Sequence, residues 1–357
     1  MAKAAESLGE LKGLAQKVGQ TLSMVLDELP EDARGHLSKL LGQSQARPFA
    51  EIKAVIDKEL GADAFASIDE TALAAASLGQ VHRGRLHTGE DVAIKVQYPG
   101  ILDAMEGDLK KLSGFTAIAG KLAEGAHEMF AELRSTLMSE LDYKLEAATL
   151  QRFSACLSGE LRVPKLYPKQ SSKRVLTTEL VVGETLLQVE KSRERVAAQV
   201  IRAIYGPALE HGLLHGDTHP GNFIVSGENL YVLDFGCVRK LSAEYQALLR
   251  LLILTDEDPA AAFAKAGYRF PEGEAGVMMQ RVIADALRGV PGAMKGIGDM
   301  KKKYPFAMAK GRMPAEAVIV SRSLIVGMNA TLRRLEMKVD VREILRAEAA
   351  RAMHKSA

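Results

Sequence analysis

Residues 215–225 read His-Gly-Asp-Thr-His-Pro-Gly-Asn-Phe-Ile-Val, and after a short turn residues 230–236 read Leu-Tyr-Val-Leu-Asp-Phe-Gly. The apolar runs predict a strand–turn–strand frame that carries Asp217, Asn222 and Asp234. Asp217 and Asn222 stand five residues apart, and Asp234 follows Asp217 by seventeen. A carboxylate from Asp234 and an amide oxygen from Asn222 would offer Mg²⁺ two hard oxygens. The ion's other positions would stay with water and phosphate, as a small cation that dehydrates reluctantly prefers. Asp217 would face an incoming nucleophile and accept or orient its proton. Such a set suits phosphoryl transfer, in which the moving group carries spread negative charge and catalysis is mostly positioning and neutralisation.

The same order and spacing, Asp to Asn and then Asp-Phe-Gly, are those of the protein-kinase catalytic loop and its metal-binding motif. Upstream, strands are predicted over 77–86 and 91–97, joined by the turn His87-Thr88-Gly89-Glu90. The second contains Val92-Ala93-Ile94-Lys95. A lysine at the end of an apolar strand buries its stem and needs a partner for its ammonium. In the Val-Ala-Ile-Lys of a kinase strand that lysine clamps the α- and β-phosphates. Helices are expected over 101–157, one of them holding Glu140, Asp142 and Glu146. On a continuous helix Asp142 and Glu146 share a face, and a cation such as Lys95 would offset their repulsion. Lys173–Leu180 reads as a strand. In a kinase such a strand passes the adenine and becomes the hinge, so backbone groups from Glu179 to Val181 would bind the adenine of ATP or ADP, with Gly183 giving flexibility before a helix over 193–212. Residues 1–70 read as helical, with an apolar stripe of Leu11, Leu14, Val18, Leu22, Val25 and Leu29 and a second helix over 49–60 stopped by Gly61. Beyond Gly236 helix is expected to the end.

With 357 residues, 47% hydrophobic and 26% charged, the composition is that of a globular protein with a substantial core. A net charge of +2 argues against nucleic acid as a partner. The cysteines, Cys156 and Cys237, fit a reducing compartment and no disulfide framework. No signal peptide and no apolar run long enough to span a bilayer are recognised, so a cytoplasmic location is expected. The segment 295–312 holds Lys295, Lys301, Lys302, Lys303, Lys310 and Arg312 against Asp299. It reads as a solvated basic loop, with peripheral contact to an anionic membrane as the alternative.

Four motifs then coincide: Lys17-Val18-Gly19-Gln20, Ala74-Ala75-Ala76-Ser77, Glu140-Leu141-Asp142, and His215 to Asn222. In these the chain resembles the UbiB/AarF/ADCK family of atypical, protein-kinase-like proteins over residues 10–240. The resemblance implies an α+β, two-lobed kinase-like fold. It would have a small β-sheet N-lobe, a helical C-lobe and an N-terminal helical extension over the active site, divided as 1–70, 71–183 and 184–357. It implies an Mg²⁺–nucleotide site in which Lys95 pairs with Glu146 and touches phosphate, Asn222 and Asp234 hold the metal, and Asp217 is the catalytic-loop acid. Ala74, Ala75, Ala76 and Ser77 would stand where protein kinases have their glycine-rich loop, giving a stiffer cover over the phosphates. Lys17 and Gln20 would meet Glu140 and Asp142 and gate the site where a peptide would otherwise lie. Gly216 in place of the arginine of His-Arg-Asp, and the absence of Ala-Pro-Glu after Gly236, also point away from a peptide acceptor. The expected function is an Mg²⁺-dependent ATPase or small-molecule kinase, linked by the resemblance to ubiquinone, other isoprenoid-quinone or lipid metabolism. Its expected partners are nucleotide and a lipid or quinone precursor. The alternatives are a nucleotide-gated scaffold without phosphoryl transfer and a soluble metabolite kinase.

Overall fold

The computed structural model describes residues 46–75, 78–107, 138–290, 293–304, 311–337 and 339–347. Lys17, Gln20, Ala76, Ser77 and Lys310 lie outside the described residues, and with them the whole Lys-Val-Gly-Gln segment. The chain divides into two compact units. One comprises Met1–Ala148 and Lys165–Leu180, the other Thr149–Pro164 and Val181–Ala357. This differs from the expected division at 183, because residues 149–164 belong with the second unit.

The strands in chain order are β1 (Ser67–Ala75), β2 (Gly79–Arg85), β3 (Asp91–Gln97), β4 (Leu161–Arg162), β5 (Val175–Glu179), β6 (Glu184–Thr185), β7 (Leu213–Leu214), β8 (Phe223–Ser226), β9 (Asn229–Val232) and β10 (Arg239–Lys240). The α-helices are α1 (Phe49–Leu60), α2 (Tyr143–Ser154), α3 (Arg193–His211), α4 (Ala243–Leu254), α5 (Ala260–Lys265), α6 (Glu274–Leu287), α7 (Ala293–Lys303), α8 (Ala315–Val320) and α9 (Met328–Arg334). A π-helical stretch, Ser321–Gly327, joins α8 to α9.

In the first unit the sheet runs β1-β2-β3-β5, every pair antiparallel. Val92, Ile94 and Val96 alternate along β3 and are fully buried. They share a core with Ile52, Val55 and Ile56, the apolar stripe of α1. Period-2 and period-3.6 patterns meet there, and each such side chain contributes about 1.5–3 kcal/mol by leaving water. Gly61 ends α1 with φ +91°. Strand β1 was not among the strands placed at 77–86 and 91–97; strand-like texture is read from Thr71, and the helix read to residue 70 overlaps the first half of β1. Its sequence, Ser-Ile-Asp-Glu-Thr-Ala-Leu-Ala-Ala, is mostly exposed and lacks a clean alternation. It is held by pairing with β2, and by His82, whose fully buried ring makes a 2.7 Å bond through Nδ1 to the Asp69 carbonyl. A carbonyl only accepts, so Nδ1 carries the proton.

The second unit is built on the 19-residue α3, whose Val196, Val200, Ile201 and Ile204 are fully buried. Gly212 caps it in the left-handed conformation at φ +63°. A sheet of order β4-β9-β8-β6 and the two-stranded pair β10-β7 complete the frame. The expectation of helix throughout after Gly236 is corrected by β10, which pairs Arg239 with Leu214, and by a bridge between Arg269 and Arg312. The basic segment expected as a loop is helical over α7, and Lys303 pairs with Glu274 at 2.7 Å. Among the described residues no helix is long and apolar enough to cross a membrane.

Candidate functional site

In the first unit, Lys95 near the end of β3 donates from Nζ to both oxygens of Glu146, at 2.8 and 3.0 Å. The Glu146 side chain is 3% exposed and that of Lys95 23%. The ammonium also lies 5.2 Å from the centre of the Tyr143 ring, a cation–π distance. The helix that presents Glu146 is fastened to the sheet. Gln97 on β3 donates to the Leu141 carbonyl at 2.8 Å, and the Tyr143 amide donates to the Lys173 carbonyl at 3.0 Å.

The continuous helix expected through 140–146 is broken at this point. Leu141 is a turn residue, and Asp142 stands ahead of α2, where its carboxylate accepts from the Lys144 and Leu145 amides at 3.0 and 3.4 Å. Asp142 is therefore a capping residue, and its negative charge suits a helix N-terminus. It does not form an i,i+4 acidic pair with Glu146. Glu140 is buried.

The residues expected over the phosphates and base are placed differently from a free loop. Ala74 and Ala75 are the last residues of β1, paired with Val81 and Gln80. The Glu179 amide donates to the Lys165 carbonyl at 2.8 Å and the Leu180 amide to the Asp91 carbonyl at 3.3 Å. Both donors are therefore engaged within the first unit. Gly183 packs closely against β8. A Cβ at that position would overlap the Val225 carbonyl on β8, so glycine is required by close approach.

In the second unit, Asp217, Asn222 and Asp234 lie on one frame. Pro220–Asn222 forms a 3₁₀ turn into β8, capped by His219, whose Nδ1 accepts from the Gly221 amide. The Asn222 side chain donates from Nδ2 to the Asp217 carbonyl at 3.0 Å. That bond sets the amide's orientation and turns Oδ1 away from the Asp217 carbonyl as an acceptor. The Leu233 amide donates to the Asn222 carbonyl at 2.8 Å, tying the strand before Asp234 to the loop. Asp234 itself has φ +58°, a left-handed conformation rare outside glycine, and its carboxylate accepts from the Gly236 amide at 3.3 Å.

His215 is fully buried beneath the loop and edge-on to Phe153 and Phe235, with ring centroids at 5.7 and 5.6 Å. Nε2 lies 3.1 Å from the Leu233 carbonyl and donates to it. Burial holds its pKa below the usual 6.5, although Asp217 and Asp234 pull the other way, so the ring is neutral. Gly216 owes its identity to space. A Cβ there would overlap the Cys237 carbonyl and crowd the Ile319 side chain.

Residues missed from the sequence also bear on this loop. Phe153 belongs to α2, and Ser323 and Thr331 belong to the C-terminal helices. Their hydroxyls donate to the His215 and Thr218 carbonyls at 2.6 and 2.8 Å. No local pattern marks them, since both bonds span more than 100 residues. Among the described residues no group of three or more His, Cys, Asp and Glu side chains could cage a metal. One carboxylate and one amide oxygen still fit Mg²⁺, which is held in nucleotide sites by one or two carboxylates with water and phosphate completing the shell.

The sequence profile of the ABC1 atypical kinase-like domain matches residues 39–261. Among curated relatives, ACTIVITY OF BC1 COMPLEX KINASE 8, chloroplastic, of Arabidopsis thaliana is 34% identical over 247 residues, 63% of this chain and 32% of that protein. Atypical kinase COQ8B, mitochondrial, of Rattus norvegicus is 32% identical over 254 residues, 67% of this chain and 48% of that protein. The matches thus take in between a third and a half of these relatives' length. Of solved structures, the complex of Rv3197 with erythromycin from Mycobacterium tuberculosis is similar, with a TM-score of 0.64 and 28% identity over 96% of this chain and 95% of that one.

Proposed function

The chain belongs to the family of ABC1 atypical kinase-like proteins, and on that premise we propose that it binds an Mg²⁺–nucleotide and acts as an ATPase or small-molecule kinase. The observation that carries this reading is the orientation of Asn222: its Nδ2 is committed to the Asp217 carbonyl, so the amide presents an oxygen. Asn222 and the carboxylate of Asp234 would hold the metal. Bound Mg²⁺ supplies neutralisation of the charge that develops on the phosphoryl oxygens. Lys95, held in place by Glu146, would take the nucleotide's phosphates. Asp217 orients the acceptor and receives its proton.

Water or a small lipid-like molecule such as a quinone precursor is the acceptor under this reading. Gly216 favours it: the Cys237 carbonyl and Ile319 occupy the space a side chain would need, so no arginine stands there to dock a phosphorylated activation loop.

The test is calorimetric binding of ADP with and without Mg²⁺, together with ATP turnover in the presence of lipid vesicles and phenolic quinone precursors. Asp234→Asn is expected to keep the fold and to lose the Mg²⁺-dependent part of binding and turnover. A wild type that binds no nucleotide, or an Asp234→Asn variant indistinguishable from it, would overturn the reading.

A further inference from the structure

We infer that Ser323 and Thr331 are positioning residues that clamp the backbone on both sides of Asp217; the role rests on the metal–nucleotide reading of that loop. Three buried hydrogen bonds make the clamp. Ser323 Oγ donates to the His215 carbonyl at 2.6 Å, Thr218 Oγ1 donates to the Ser323 carbonyl at 2.9 Å, and Thr331 Oγ1 donates to the Thr218 carbonyl at 2.8 Å. Ser323 and Thr331 are fully buried and Thr218 nearly so. Serine and threonine inside a helix ordinarily bond the carbonyl one turn back on their own helix. Here both hydroxyls reach instead to another segment of the second unit.

The π-helical stretch explains how both can do so. Eight residues of a regular α-helix turn through roughly 80° more than two full turns, which would set Thr331 well round the helix from Ser323. The wider i→i+5 turn rotates less per residue and reduces that offset. The Met328 amide donates to the Ser323 carbonyl in this pattern, and the same carbonyl accepts the Thr218 hydroxyl. Ile319, one turn earlier on the same helix, crowds the place where a Gly216 side chain would be. The clamp holds residues 215 and 218, and Asn222 takes its orientation from the Asp217 carbonyl between them. These helices lie beyond residue 261, where the family match ends.

The consequence is a second layer behind the metal ligands, and loss of such a layer lowers metal affinity or activity by about 10–100-fold. Thr331→Val removes one hydroxyl at constant shape, and Thr331→Ser restores it. Amide hydrogen exchange of the nucleotide-free full chain is measured first. In Thr331→Val the amides of residues 216–222 are expected to exchange about tenfold faster while those of β2 and β3 are unchanged, which local opening allows. The gain in ADP affinity on adding Mg²⁺ is expected to fall by about 10–100-fold, with Mg²⁺-free binding unchanged. Thr331→Ser keeps both properties. Ser323→Ala, which removes the bond to His215, replaces Thr331→Val should that variant not fold. Loop exchange equal to wild type in the clamp variant, or a Thr331→Ser protein as impaired as Thr331→Val, would overturn the inference. Wild type without Mg²⁺-dependent ADP binding would overturn the metal reading alone, because the exchange measurement needs no nucleotide and still decides the clamp.

Discussion

Asp234 sits at φ +58°, where an L side chain costs of the order of 1 kcal/mol or more that glycine would not. Such strain persists where the surroundings over-determine the backbone. Here the Leu233 amide is tied to Asn222, and Gly236 closes a turn onto the carboxylate. His215 makes the opposite kind of sacrifice, a titratable ring sealed among Phe153, Phe235 and backbone. Its folded pKa lies below the ordinary 6.5 because burial disfavours the cation. The unfolded chain therefore binds more protons on acidification. The contribution of His215 to stability is complete above pH 6.5 and is lost as pH falls from there toward the folded pKa. Denaturation midpoints measured from neutral pH down to about pH 5 should fall in the wild type. His215→Gln, which can still donate to the Leu233 carbonyl, should lose less stability over that range. Equal slopes in the two proteins would show that the ring is not the titrating group.

At the scale of elements, the loop that carries Asp217 is not self-supporting. The helix running from Ala315 to Arg334 bonds it through Ser323 and Thr331. The same helix reaches past the Asp-Phe-Gly turn, where Glu316 accepts from the Ser242 amide at 2.6 Å and from its hydroxyl at 2.7 Å. Ser242 in turn caps α4 by accepting from the Tyr245 amide. A carboxylate at a helix N-terminus also complements the helix dipole. Glu316→Ala should cost about 1–3 kcal/mol in chemical denaturation, since it leaves the Ser242 donors unsatisfied. Glu316→Gln should recover much of that, as its amide oxygen can still accept. An alanine variant as stable as wild type would remove the helix from this supporting role.

For the whole molecule, the chain passes between its two units at residues 148/149, 164/165 and 180/181. The second unit takes β4, which pairs in parallel with β9, and Phe153, which packs on His215 and Phe235, from 149–164. A fragment of residues 184–357 lacks both. It should show no cooperative thermal unfolding, whereas the full chain should, because an edge strand and a core ring contribute several kcal/mol to a marginal total. A fragment that melts cooperatively would mean that 149–164 is dispensable to the second core.

Helix α1 with its Gly61 stop, β3 and β5 were legible in the sequence because local periodicity records which face of a segment is buried, and the α+β class came with the family resemblance. The spacing of Asp217, Asn222 and Asp234 was likewise readable without coordinates, and the structure sets the three on one frame of the second unit. The contact of Lys95 with Glu146 was named through the family resemblance, while the residues alone offered Lys95 only as a cation beside an Asp142–Glu146 pair that the structure does not form. Four matters were decided only by the tertiary structure. Strand β1 has no buried alternation and exists by pairing with β2. The break at Leu141 and Asp142 comes with the Gln97 bond to the Leu141 carbonyl. Gly183 and Gly216 answer to the close approach of neighbouring backbone. The clamp on the Asp217 loop joins residues 105, 108 and 113 positions apart. Contacts over such separations leave no trace in local spacing, and a hydroxyl in a helix reads the same whether it faces its own backbone or another segment's.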